Sequence, residues 1–133
     1  MSINFKTYAK NYNNKKDFDA LLLNYKFLAL QNYLKPGHKN KNPKTLGDTL
    51  ELGCAMGLMT KKLFPITKSL DVVDASEDYI NYTKKLIPKA SFFKSQFQKF
   101  MPEKKYNTIV LAGVHHALPK QVTFLRLIYK WLK

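Results

Sequence analysis

The stretch Leu50-Glu51-Leu52-Gly53-Cys54-Ala55-Met56-Gly57 sets small residues at alternate positions, with an acid two places before the first glycine. Gly53, Ala55 and Gly57 leave a backbone that a ligand can approach closely. A helix opening after Gly57 would add free N–H groups and the positive end of its dipole. A second acid, Asp74, stands about 20 residues further on, at the end of the next strand-like run. In nucleotide-binding α/β folds an acid so placed accepts hydrogen bonds from both ribose hydroxyls: a strand end is rigid, and a carboxylate has two oxygens. The spacing is G-x-A-x-G, not the G-x-G-x-x-G of dinucleotide sites. Glu51 would repel a diphosphate and fits an amine better. A plain strand-to-helix turn without a ligand is the alternative reading of this segment.

Other residues carry possible chemistry. His115 and His116 adjoin one another after an apolar run. A histidine near pKa 6.5 suits deprotonation of an acceptor hydroxyl or amine; helix capping and solvent exposure compete with that role. His116 is the better site candidate of the two. Neighbouring histidines need a third ligand to hold a metal, and His38 sits in a remote loop, so no metal site is expected. Cys54 is the sole cysteine, which excludes an internal disulfide framework and a Cys-cluster zinc site. It reads as a small packing residue. Phe92, Phe93, Phe97 and Phe100 can stack on bases, but core packing and adenine contact suit them better.

These residues need a scaffold, and the chain alternates strand and helix signals. Residues 1–16 form a polar arm with spaced aromatics, and residues 17–35 a helix region. Within it Phe18, Leu21, Leu22, Tyr25, Leu28 and Ala29 fall at helical spacing, Asp17 can cap, and Pro36-Gly37 stops the run. Residues 45–133 then read as the core. Strands are expected over Thr49–Leu52, Ser69–Val73, Ser91–Phe93 and Asn107–Ala112. Helices are expected over Leu58–Phe64, closed by Pro65, over Glu77–Ile87, capped by Ser76, and over Gln121–Leu132. The last should bury Val122, Leu125, Ile128, Tyr129 and Leu132. Repetition of this kind implies an α/β, Rossmann-like parallel sheet with right-handed crossovers and flanking helices.

Composition bounds the rest. The chain has 133 residues, 45% hydrophobic and 24% charged, which suits one globular domain. No run approaches the roughly 20 apolar residues of a membrane span. The first ten residues hold no apolar signal-peptide core. A reducing cytoplasm is the expected setting. The net charge of +14 and pI near 9.8 invite a nucleic-acid reading. Nearly all of that charge is lysine, however, and Arg126 is the only arginine, whereas nucleic-acid readers favour the bidentate guanidinium. Abundant Lys, Asn, Tyr, Phe and Ile share A/T-rich codons, so genomic bias explains much of the lysine.

The turn and its acids resemble motif I of the class I S-adenosylmethionine-dependent methyltransferases. LELGCAMGLMT (50–60), VVDASEDYI (72–80), FFKSQFQKF (92–100) and YNTIVLAGVHHAL (106–118) look like successive motifs of one bacterial subfamily linked to small-molecule, sugar or cell-surface methylation. Tyr8-Ala9-Lys10-Asn11-Tyr12 resembles its N-terminal tyrosine arm. The resemblance implies S-adenosyl-L-methionine as cofactor. Gly53, Cys54, Ala55 and Gly57 would then line its methionine and ribose, with Glu51 behind them. Asp74 would take the ribose hydroxyls, and Ala75 and Tyr79 would lie near the adenine. Ser95, Gln96 and Phe97 would read the adenine edge, Ala112 and Gly113 would flank the sulfonium, and Tyr12 would cap the cofactor.

The substrate side departs from the family. Asn107, Gln98 and the pair His115-His116 stand where it often has acids or an acid-histidine pair. The chain also stops after its fourth strand and the helix behind it, where related enzymes add about three more strands, so the family sheet looks truncated, in the order 3-2-1-4. Three activities follow as expectations: methyl transfer to a small-molecule or sugar-like acceptor, a degenerate cofactor-binding protein or half-enzyme needing a partner chain, or, less fittingly, nucleic-acid methylation. An open apolar edge on the fourth strand implies a homodimer or a partner chain at that edge.

Overall fold

The structure is a computed structural model and describes residues 18–33, 45–112, 118 and 120–133. Tyr12, Gly113, His115 and His116 lie outside the described residues. Four strands form one parallel sheet: β1 (Asp48–Leu52), β2 (Ser69–Asp74), β3 (Ser91–Lys94) and β4 (Thr108–Val110), in the order β3-β2-β1-β4. Strands β1 and β2 hold the central places and are buried on both faces, although Thr49, Glu51, Asp71 and Asp74 within them are polar. Leu50, Leu52, Val72 and Val73 are fully buried. They divide between two cores. Val72 and Leu70 pack with Met56, Met59 and Leu63 on one face, and Leu50, Leu52 and Val73 with Phe124, Ile128 and Trp131 on the other.

The first face is covered by α1 (Phe18–Tyr33), α2 (Leu58–Leu63) and α3 (Glu77–Leu86). Among the side chains described in α1, Leu23 and Phe27 are buried and Leu30 partly so, while Leu21, Leu22, Tyr25 and Leu28 are exposed. The expected face was therefore the wrong one. The helix is apolar around much of its circumference, so spacing alone does not select a side; the fit of Phe27 under the Lys62 ammonium, 5.2 Å from the ring centre, is tertiary. Helix α2 ends one residue before the expected Phe64. Pro65 does not close it but sits in a 3-10 turn over Phe64–Ile66, where a missing N–H costs nothing. Ser76 caps α3 as expected, accepting from the Tyr79 N–H at 3.4 Å. Ile87 is the cap rather than the last helical residue.

The second face is covered by α4 (Gln121–Tyr129). Its buried residues are Phe124 and Ile128, joined by Trp131 beyond the helix end. Of the five residues expected to be covered, only Ile128 is buried. Val122, Leu125 and Tyr129 are 64%, 53% and 75% exposed. After α4 the backbone returns to the sheet: the Tyr106 N–H donates to the Trp131 carbonyl at 2.9 Å, and the Lys133 N–H to the Tyr106 carbonyl at 2.9 Å. Leu132 thus pairs in parallel with Tyr106, so the outer side of the last strand is not wholly open as expected.

Strand β4 spans three residues rather than the expected Asn107–Ala112. Asn107 bridges two segments instead. Its side-chain oxygen accepts from the Asp48 N–H at 3.0 Å and from the Lys133 ammonium at 3.1 Å. A carboxylate here could accept the same bonds, so the departure from the family's acid leaves this end of the sheet tied together.

Candidate functional site

Parallel strands deliver their carboxyl ends to one side of the sheet, and ligands of open α/β folds bind in the crevice there. The ladder of β1 continues past its last residue, because the Gly53 N–H donates to the Val73 carbonyl at 2.8 Å. The chain then reverses within five residues. Gly53, Ala55 and Gly57 all have left-handed backbones, with φ of 87°, 42° and 76°. Two glycines accept this without strain. Ala55 does not, and an alanine there costs on the order of 1 kcal/mol. Hydrogen bonds on both sides hold it: its N–H donates to Asp74 at 3.4 Å, and its carbonyl accepts from the Thr83 hydroxyl at 3.2 Å.

Asp74 organises this turn. Its Oδ2 accepts from the Cys54 N–H at 3.0 Å as well as from Ala55, and its Oδ1 accepts from the Ser76 N–H at 2.8 Å. The carboxylate at the end of β2 therefore draws the β1 turn and the start of α3 around one buried charge. A carboxylate has about four acceptor positions, and Oδ1 receives only one of these three donors, so capacity for a ligand hydroxyl remains.

Gly57 has a second reason to be glycine. A Cβ there would lie 2.9 Å from Thr83 Cγ2. The start of α2 is thus pressed against α3, and the residue serves helix packing as well as the turn. A side chain at this position would disturb the fold before it reached any ligand.

Glu51 is fully buried on β1, and neither carboxylate oxygen has a hydrogen-bond partner. Burial pushes its pKa up from 4.5 to about 8; the Thr60 hydroxyl lowers it and the Asp74 charge raises it. Thr60 is close enough to favour the ionised form, but its hydroxyl is not in hydrogen-bonding geometry with any group. Near neutral pH Glu51 is therefore held largely protonated. An unpartnered buried carboxyl is costly.

Cys54 is buried, and burial, then the Asp74 charge, pushes its thiol far above the usual range. That excludes a nucleophilic thiolate and agrees with a packing role. Tyr79 is half-buried on the first turn of α3, its phenol raised by burial and then by the Asp74 charge.

The expected residues come together in part. Glu51, Gly53, Cys54, Ala55, Asp74 and Ala75 gather at the carboxyl ends of β1 and β2. Ser95 joins them, its N–H donating to the Asp74 carbonyl at 3.0 Å. Gln96 follows, exposed. Phe97 is turned toward α4, its ring centre 6.5 Å from that of Phe124, and packs with the second core. Ala112 lies two residues beyond Val110, which pairs with Glu51, so it stands level with Gly53. Its carbonyl accepts from the Lys26 ammonium at 2.6 Å. Nothing in the sequence singles out Lys26: it is one lysine among many, and only the packing of α1 brings it here. Among the described residues no three metal-ligating side chains cluster, and no helix is long and apolar enough to cross a membrane.

Comparison with known proteins places this arrangement. The chain is 34% identical over 76 residues to nodulation protein S of Rhizobium tropici, a match covering 55% of this chain and 32% of that protein. The chain thus spans about a third of that relative's length. Its fold superposes with a TM-score of 0.73 on the N-methyltransferase NodS from Bradyrhizobium japonicum WM9 in complex with S-adenosyl-L-homocysteine, at 20% identity, covering 97% of this chain and 67% of that one. It superposes with a TM-score of 0.66 on the plantazolicin methyltransferase BpumL bound to S-adenosyl-L-homocysteine and a desmethylplantazolicin analogue, at 23% identity, covering 96% and 49%. The Rossmann-like sheet is shared with both. A profile of the nodulation protein S (NodS) family matches residues 29–129, a span that includes the whole sheet and the turn around Asp74, and the chain belongs to that family.

Proposed function

We propose that this chain binds S-adenosyl-L-methionine in the crevice at Gly53–Gly57 and transfers its methyl group to a small-molecule or sugar-like acceptor. One observation carries the reading: a left-handed turn wrapped around the Asp74 carboxylate, with the unpartnered carboxyl of Glu51 buried behind it. The residues fit the cofactor. Asp74 retains an acceptor position for ribose hydroxyls, and Glu51 can take up an ammonium. Ala75, Tyr79 and Ser95 border the side where the adenine would lie. Family membership and the related NodS and BpumL structures, crystallised with the demethylated cofactor product, support the same assignment.

The cofactor, when bound, supplies an activated methyl group on a sulfonium. The chain's own part is positioning, which can account for much of a rate enhancement. His116, or His115 beside it, would accept a proton from the acceptor amine or hydroxyl. Cys54 takes no part, since direct displacement needs no protein nucleophile.

Calorimetric titration with S-adenosylhomocysteine tests the reading. The parent protein should bind, and Asp74→Asn should weaken binding by on the order of 1–3 kcal/mol through lost charged hydrogen bonds. Unchanged affinity in Asp74→Asn would remove the ribose assignment, and no binding by the parent would remove the cofactor. Transfer assays with and without a partner chain separate an active enzyme from a cofactor-binding protein. The exposed Val122, Leu125 and Tyr129 on α4 and the short β4 beside it support self-association or a partner chain on this side. A reducing cytoplasm remains the setting that the single buried cysteine fits best.

A further inference from the structure

In a parallel sheet with returning helices, strand starts and helix ends share one side, opposite the crevice. Lysines gather there. Lys61 and Lys62 occupy the last turn of α2, and Lys84 and Lys85 that of α3. The helix dipole favours a cation at such an end, so these four have a local cause. Lys68 before β2, Lys89 before β3 and Lys104 before β4 have no such cause. The Lys68 N–H donates to the Gly47 carbonyl at 2.9 Å and the Lys104 ammonium to the Ser69 hydroxyl at 3.3 Å, which holds both beside the starts of the central strands. Codon usage sets how many lysines a chain holds, not the side on which they collect. Glu51, Asp74, Glu77 and Asp78 lie on the other side, toward the ends of β1 and β2 and in the first turn of α3. The molecule is thus electrically polarised along its strands.

Few acids answer these cations. Asp71 is buried and already takes the Lys104 ammonium at 3.0 Å and the Tyr106 hydroxyl at 2.9 Å, and Asp48 takes Lys133 at 2.7 Å. Among the described residues Lys61, Lys68, Lys84, Lys85, Lys89 and Lys130 are exposed and have no carboxylate partner. Like charges gathered in this way repel one another, and an anionic surface relieves that repulsion. The side chains are ammoniums, with Arg126 the chain's only guanidinium. A compact charge on a flexible stem can follow a mobile array of phosphates, whereas fixed bidentate contacts favour arginine. Leu86 stands among these lysines at the end of α3, 49% exposed. An apolar side chain ringed by lysines matches the boundary of a bilayer, where the ammoniums stay with the headgroups and the apolar group reaches the acyl edge.

We propose that this side of the protein docks on an anionic lipid surface, with Lys68, Lys84, Lys85 and Lys89 against the headgroups and Leu86 at their boundary with the acyl chains. The crevice at the opposite side then opens away from the lipid and stays accessible in the docked protein. The inference rests on the placement of charge and stands apart from the cofactor and the reaction.

Sedimentation with vesicles at physiological salt tests it. The parent should bind vesicles of equimolar phosphatidylcholine and phosphatidylglycerol, should not bind phosphatidylcholine alone, and should be released by high salt. A lysine near such a surface contributes about fivefold to affinity. Lys84→Gln, Lys85→Gln and Lys89→Gln together should therefore weaken binding on the order of a hundredfold. A control variant, Lys94→Gln, Lys99→Gln and Lys120→Gln, removes the same charge away from this face and should weaken binding far less. Leu86→Ser should weaken it severalfold. All these side chains are exposed, and circular dichroism of each variant establishes that it is folded. A parent that leaves anionic vesicles unbound would overturn the proposal. Equal weakening by the two triple variants would also overturn it, because net charge alone would then drive binding. Displacement from the vesicles by mixed-sequence DNA, bound more tightly than lipid, would overturn it in favour of a nucleic-acid surface.

Discussion

The two sides of the sheet differ in how tightly they are specified. Around Asp74, β1, β2 and the start of α3 are bound by three backbone donors to one carboxylate, and the turn between β1 and α2 uses three left-handed residues. On the β4 side, a three-residue strand is backed by a helix with Val122, Leu125 and Tyr129 in solvent. The first region has little freedom to vary, because its backbone donors converge on one carboxylate and Gly57 has a close neighbour. The second is held mainly by apolar contact through Phe124, Ile128 and Trp131, which tolerates adjustment. The contrast separates a rigid turn, where the proposed cofactor would bind, from a side whose packing leaves more room to adjust.

The contrast fails most visibly if the turn tolerates bulk. Gly57→Val combines a strained backbone with a 2.9 Å approach to Thr83 and should cost about 2–4 kcal/mol of stability, read as a shifted urea midpoint. Thr83→Ser removes the offending methyl and keeps the hydroxyl, so the double variant should recover part of the loss. An unchanged midpoint in Gly57→Val would show that the two helices are not pressed together there.

Glu51 sharpens the comparison through pH. Its folded pKa lies near 8, above its unfolded value, so between about pH 4.5 and 8 the folded state binds more protons than the unfolded state. Stability contributed by the neutral carboxyl is present at low pH and lost as pH rises through this window, by at most about 1.4 kcal/mol per pH unit. Denaturation of Glu51→Gln should show that slope removed. Binding should run the other way: a ligand ammonium favours ionised Glu51, so S-adenosylhomocysteine affinity in the parent should rise from pH 6.5 toward 8.5 and be flatter in Glu51→Gln. A parent whose stability does not vary across the window would mean that Glu51 is ionised within the fold.

The smallest effect belongs to α4. Replacing Val122, Leu125 and Tyr129 together by Gln should change the monomer's stability by only about 0.5 kcal/mol per site or less, since each is exposed. The same triple variant should abolish any concentration-dependent dimer seen by light scattering. A dimer that survives it would move the association to the edge of β4 or elsewhere.

Much of the site was legible in the chain because it is local. The acid, the small residues and the helix start lie within eight positions, Asp74 ends the very next strand, and a turn of this kind is dictated by which side chains allow left-handed backbone. Alternation of strand and helix signals implied the parallel sheet, whereas the order 3-2-1-4 came with the family resemblance. The faces of α1 and α4 were not legible. Both helices carry apolar residues on more than one side, so periodicity offered Leu21, Tyr25 and Leu28, or Val122, Leu125 and Tyr129, as readily as the residues that are buried. Asn107 gave no sign that it would bridge Asp48 and Lys133.

What the residues determined by themselves is therefore the parallel fold, the βα turn and its two acids, all matters of spacing along one chain and of backbone sterics. What only the tertiary structure decided depends on distant partners. The meeting of Gly57 with Thr83 and of Lys26 with Ala112, the desolvation of Glu51, and the choice of helix face each arise when segments far apart in sequence compete for the same buried space.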